Sequence, residues 1–113
     1  MMKYLKTYEK HNGPEIGDYV LCEEKYIVDK SFRDFIFNNV GVIIDIEIDG
    51  DENWPGYIVK YENVSNDIKP MLTHEKLSGT MEDCRLMRPT EIRTYSKNKE
   101  DLETILDANN YNL

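Results

Sequence analysis

Between Asp45 and Glu52 the chain carries five acids and no base. Asp45, Glu47 and Asp49, followed by Gly50, imitate the start of a calcium loop, which spaces oxygen ligands at alternate positions ahead of a glycine. The bidentate acid that closes such a loop is missing, because Gly56 stands in its place. The same residues also alternate like a strand, which would string the carboxylates along a line instead of around an ion. An acid-rich strand face is the better account, and Asp45, Glu47 and Asp49 become a candidate protein-contact face. Other metal or nucleophilic chemistry has less to work with. His11 and His74 are the only histidines, and neither has a Cys, His, Asp or Glu at a spacing that one strand or helix would converge. No metal site, cofactor or catalytic residue is assigned.

The basic residues gather elsewhere. From Cys84 to Lys99 there are Arg85, Arg88, Arg93, Lys97 and Lys99 against the single acid Glu91. Three of the four arginines lie within nine residues. Arginine suits flat, bidentate recognition of phosphate or carboxylate. Two readings stay open: cross-strand pairing with Asp45, Glu47 and Asp49, or an anion-binding surface. Strand alternation puts Arg85 and Met87 on one face and Leu86 and Arg88 on the other. The anion reading therefore rests on Arg88 and Arg93. Trp54-Pro55-Gly56-Tyr57 supplies the aromatic partner, since a Trp beside Pro and Gly in an acidic loop suits stacking or contact. Trp54 folding back over an open end of the fold is the alternative.

Positioning these residues needs a fold, and composition narrows it. At 113 residues, with a formal charge of -8, 40% hydrophobic and 11% aromatic residues, the chain fits one domain with a modest core. A pI near 4.7 argues against a general nucleic-acid binder, whose affinity rests on many cationic contacts to phosphate. No apolar run is long enough to span a bilayer and no secretion signal opens the chain, so a cytoplasmic location is expected. Cys22 and Cys84 read as reduced, buried fillers.

A strand is predicted from about Tyr19, after the Gly17-Asp18 turn. Val40 to Asp49 alternates cleanly, with Val42, Ile44, Ile46 and Ile48 on one face and the acids on the other, the mark of an antiparallel sheet. Tyr57–Tyr61, Arg85–Met87 and Ile92–Tyr95 are further strands, with Pro89 marking a break. Ser31 is expected to cap a short helix that shares Phe32, Phe35 and Ile36 and ends at Asn38-Asn39. Asn98 is expected to cap a C-terminal helix with Leu102, Ile105 and Leu106 on its apolar side. Residues 67–82 read as an irregular excursion. The predicted core is Val20, Val42, Ile44, Ile46, Val59, Leu86 and Ile105. The expected architecture is mainly β with short helices, a single small barrel over residues 16–95, with a leader at 1–15 and a terminal helix at 98–108.

Gly17-Asp18-Tyr19-Val20, Val40-Gly41-Val42-Ile43 and Tyr57-Ile58-Val59-Lys60-Tyr61 resemble the first three strands of SH3-like barrels of the KOW and Tudor kind. Met2-Lys3-Tyr4-Leu5 and the tail Ser96 to Glu103 resemble small proteins of low-GC tailed bacteriophages. The resemblance implies a viral protein in the host bacterial cytoplasm. The expected function is non-enzymatic binding directed at host defence. It would act by sequestering a nucleotide-like immune signal with Arg88, Arg93, Trp54 and Tyr57, or by occupying a host protein through the acidic face. A structural or virion-associated module is the alternative, and an enzyme is the third class, with no residues nominated. Eight tyrosines and the unpaired edges of a small sheet favour a homo-oligomer.

Overall fold

The computed structural model describes residues 13–48, 55–76 and 79–111. Asp49 and Trp54 lie outside the described residues. Gly17, at φ 96°, makes the turn into the first strand in a left-handed conformation that suits glycine. The Asp18 carboxylate closes that turn by accepting from the Glu15 backbone N–H at 2.9 Å. Strand β1 (Tyr19–Cys22) follows, then helix α1 (Lys30–Asn38), β2 (Gly41–Ile48) and β3 (Pro55–Lys60). A 3-10 turn at Lys69–Met71 precedes the hairpin β4 (Thr73–Lys76) and β5 (Gly79–Glu82). Then come β6 (Cys84–Met87), a 3-10 turn at Pro89–Glu91, β7 (Ile92–Ser96) and α2 (Lys99–Tyr111).

β1, β2, β3, β6 and β7 form one antiparallel sheet in the order β6-β3-β2-β1-β7. The fold is mainly β with two helices, as the alternation predicts. The sheet is open among its described residues: β6 and β7 form its two edges and do not pair with each other. Closure into a barrel is not what these strands show. The region 67–82 is also more regular than predicted. Its hairpin escapes a hydrophobic reading because β5 is largely exposed and carries little apolar pattern.

The main core lies on one face of the sheet. Val20, Cys22, Ile43, Tyr57, Val59 and Met87 meet Phe32 and Ile36 of α1 there. The segment after β3 completes it with Tyr61, Val64, Ile68 and Leu72. Gly41 belongs to this face opposite Val20, and a side chain at that position would run into Val59 and Tyr61. The other face buries Ile58, Cys84 and Leu21. There α2 lies against β1 and β7, and β4 against β6.

Two bulges decide which way side chains point. In β2, Ile43 pairs with Val59 but Asp45 with Ile58, so Ile44 is an extra residue. The alternation inverts there, and Ile43 and Ile46 both turn toward the core. This corrects the predicted core. Val20 and Val59 are fully buried and Ile46 packs against the cluster. Val42, Ile44 and Leu86 are half-buried outside it, and Ile105 is 38% exposed. In β7, Leu21 pairs with Thr94 but Cys22 with Ile92, so Arg93 is the extra residue.

Both helix starts also differ in detail from expectation. The α1 cap is Asp29, not Ser31, its carboxylate accepting from Phe32 N–H at 3.0 Å. At α2 the Asn98 carbonyl accepts from Asp101 N–H at 3.2 Å. The Ser96 hydroxyl takes the side-chain role, donating to Asp101 at 2.7 Å and accepting from Asn98 N–H at 3.0 Å. Leu102 is the fully buried member of that helix's stripe.

Candidate functional site

The three clustered arginines part company in three dimensions. Arg85 lies opposite Val59, on the core face of β6. Its guanidinium rests 5.0 Å from the centre of the Phe32 ring and donates from Nε to Glu24. Glu24 is 4% exposed. Burial pushes its carboxyl above the usual carboxylate range, the neighbouring Glu91 adds to this, and Arg85 pulls the other way. Arg93, thrown out of register by the β7 bulge, sits 3.9 Å over the Phe37 ring and donates to the Phe37 carbonyl at 3.1 Å. Arg88 is exposed at the start of the 3-10 turn, where its backbone N–H donates to Glu91 Oε1 at 2.7 Å. Arg85 thus pairs with Glu24, a residue not predicted, and not with the acids of β2, while Arg93 meets a helix-end carbonyl and ring.

Asp45 and Glu47 share a face of β2, opposite Ile58 and Gly56 of β3. Their carboxylates are engaged locally. Asp45 accepts from Ile46 N–H at 2.8 Å, and Glu47 lies 3.3 Å from His74 Nε2 on the β4–β5 hairpin. The thiols are shielded as well. Burial pushes Cys22 up to about 12, with the nearby Tyr61 hydroxyl pulling down, and burial also raises Cys84. Both therefore stay protonated near neutrality.

Among the clefts formed by the described residues is one of about 510 Å³ between the start of β3, the Pro89–Glu91 turn and β7. Pro14, Pro55, Tyr57, Pro89, Ile92 and Tyr95 are among its lining residues, with Arg93 and Thr94 beside them. Tyr57 is 1% exposed and Tyr95 41%, so one ring belongs to the interior and the other to the rim. Burial raises the Tyr57 hydroxyl above its ordinary value, with Tyr95 contributing. Of the predicted ligand set, the cleft brings together Tyr57 and Arg93. Arg88 adjoins it in sequence through Pro89. The volume falls in the range of small-molecule sites, which are mostly apolar with few polar groups. Tyr95, Pro14 and Pro89 were missed as site residues by sequence reading, and Pro55 entered only as part of the Trp54–Tyr57 motif. Their convergence depends on β7 returning beside β1, and the only local signal was the density of Pro and Tyr near strand ends.

No helix among the described residues is long and apolar enough to cross a membrane. Compared with known protein families, curated proteins and solved structures, the chain matches none.

Proposed function

We propose that this chain is a non-enzymatic binding module that holds a nucleotide-like small molecule by its planar ring in the Tyr57–Tyr95 cleft. The observation that carries the reading is the cleft itself, in which two tyrosines, three prolines and Arg93 meet. Flat aromatic and proline surfaces favour a planar, weakly polar group, and stacking of a base on an aromatic side chain contributes about 1–3 kcal/mol. Arg93 in the wall of the cleft, with Arg88 next to Pro89 in sequence, supplies a cation for an attached anionic group, and Trp54 adjoins Pro55 in sequence. The strand order supports an SH3-like identity: four strands meander, the last returns beside the first, and a 3-10 turn precedes it. On that reading the barrel is left open between β6 and β7, and the cleft forms near the opening. The setting implied by the phage resemblance is the host cytoplasm, with a host-defence signal as ligand.

The test is a backbone-amide NMR titration of the full chain with cyclic dinucleotides and ADP-ribose. Saturable shifts at Tyr57 and Ile92–Tyr95 support the reading, and no shift with any member of the panel contradicts it. The unpaired edges of β6 and β7 favour a second reading, a structural or virion-associated module joining copies edge to edge. Light scattering separates the two, since that module, and the homodimer we also propose, require a species of at least twice 13.3 kDa.

A further inference from the structure

The loop between β1 and α1 does something unusual with its apolar residues. Tyr26 is 95% and Val28 94% exposed, while Ile27 between them packs against the core. The loop is pinned at three points: Glu23 N–H donates to the Glu91 carbonyl at 2.8 Å, Ile27 is anchored, and Asp29 caps α1. Tyr26 and Val28 are therefore held outward on a fixed frame, which lowers the entropy lost when a partner covers them. A Tyr presented in this way is a typical anchor of a binding hot spot.

A cleft of about 360 Å³ formed by the ends of this loop and α1 adds a charge preference. Two of its acids are already used: Glu24 by Arg85, and Asp34 by Lys30 at 2.8 Å. Among the described residues, Arg33 and Lys25 in its wall have no acidic partner, and the Arg33 Nε is shut off from solvent without a hydrogen bond. Glu23 is the one remaining acid of the wall. Once those pairs are set aside, the wall leaves Lys25 and Arg33 against Glu23, an excess of one positive charge in a chain of charge -8, beside two exposed apolar side chains.

We infer that the Lys25–Asp29 loop and the Arg33 cleft together dock an acidic-apolar segment of a protein partner. The segment's apolar side chains cover Tyr26 and Val28, and its carboxylate pairs with Arg33. This surface is separate from the Tyr57–Tyr95 cleft and does not depend on that reading. A second copy of the chain fits less well, because a two-fold contact through this patch would bring Arg33 toward its own counterpart.

The experiment is selection of a random 16-residue peptide display library on the full chain, followed by affinity measurement of the best synthetic peptide. Enriched peptides are expected to place Asp or Glu next to Leu, Ile or Phe. The double variant Tyr26→Ser, Val28→Ser should weaken binding at least tenfold. Arg33→Gln should weaken it about fivefold or more, and that loss should vanish when the peptide's acid is replaced by its amide. All three side chains sit at the surface or rim, and circular dichroism confirms that the variants fold. Any of four results overturns the inference: no enrichment, enriched peptides without acids, variant binding equal to wild type, or an effect of Arg33→Gln that ignores the peptide's charge. Sedimentation with phosphatidylserine vesicles, or a dimer by light scattering, that the double variant abolishes overturns it in favour of a membrane or of self-association.

Discussion

Over α1, Arg85 lies on Phe32 and reaches the buried Glu24; beside the Pro89–Glu91 turn, Tyr57 and Tyr95 line a cleft walled by prolines. In the first region, charge and aromatic surface are spent on each other. In the second, two tyrosines and three prolines line an open cleft. The contrast teaches that a cluster of arginines along the chain is not by itself an anion site. Strand faces and a bulge assign Arg85 and Arg93 to separate rings, those of Phe32 and Phe37.

The largest expected effect is at the spent region. Arg85→Ala leaves the Glu24 carboxylate buried without its cation and should cost about 3–5 kcal/mol of unfolding free energy. Urea denaturation measures it, and a loss under about 1 kcal/mol, the size of an exposed pair, would erase the distinction between the two regions. Next comes the bulge that sets the core face. Ile43→Ala should cost about 2–4 kcal/mol and Ile44→Ala well under half as much, because only the first opens a cavity in a packed core. Equal costs would place the bulge elsewhere.

A smaller effect concerns Asp18, which ties the turn before β1 to the end of β7. Burial pushes its carboxyl up, but Lys97 Nζ at 2.8 Å and the Glu15 N–H outweigh this and hold it below the ordinary 3.8. A depressed carboxylate contributes its full stability above the ordinary value and loses it as pH falls through the folded one. Acid should therefore cost the wild type this contribution only below about pH 3.8. In Lys97→Ala burial has less to oppose it, so carbon-detected NMR should find Asp18 titrating at higher pH and acid unfolding should begin earlier. An unchanged Asp18 titration would contradict this account of the latch.

The five strands of the main sheet and both helices were legible because alternation in β2 and the aromatic-apolar runs in β1 and β3 are local signals, whereas the largely exposed β4–β5 hairpin was not. The core face was not. A single inserted residue, Ile44, reverses the alternation, and nothing in Val42-Ile43-Ile44-Asp45 marks which residue is extra. The Asp29 cap was overlooked because Ser31, an equally good capping residue, stands two positions further on, as the second residue of the helix. The fate of the arginines was the least legible part. Arg85 meets Glu24 across 61 positions of chain, a pairing set by β6 lying against β3 and by the path of the β1–α1 loop. The cleft draws on residues near 14, 55 and 92 for the same reason: only the sheet order brings them together.

On the proposed function, the Tyr57–Tyr95 cleft contributes more to ligand binding than Arg93 does. The most direct measurement is the ligand-induced rise in melting temperature with ADP-ribose and cyclic dinucleotides for wild type, Tyr95→Ala and Arg93→Ala, since a ligand of the folded state stabilises it by mass action. A rise is expected in wild type, most of it kept in Arg93→Ala and lost in Tyr95→Ala. A rise that survives Tyr95→Ala but disappears in Arg93→Ala, or no rise in wild type with any member of the panel, would contradict it.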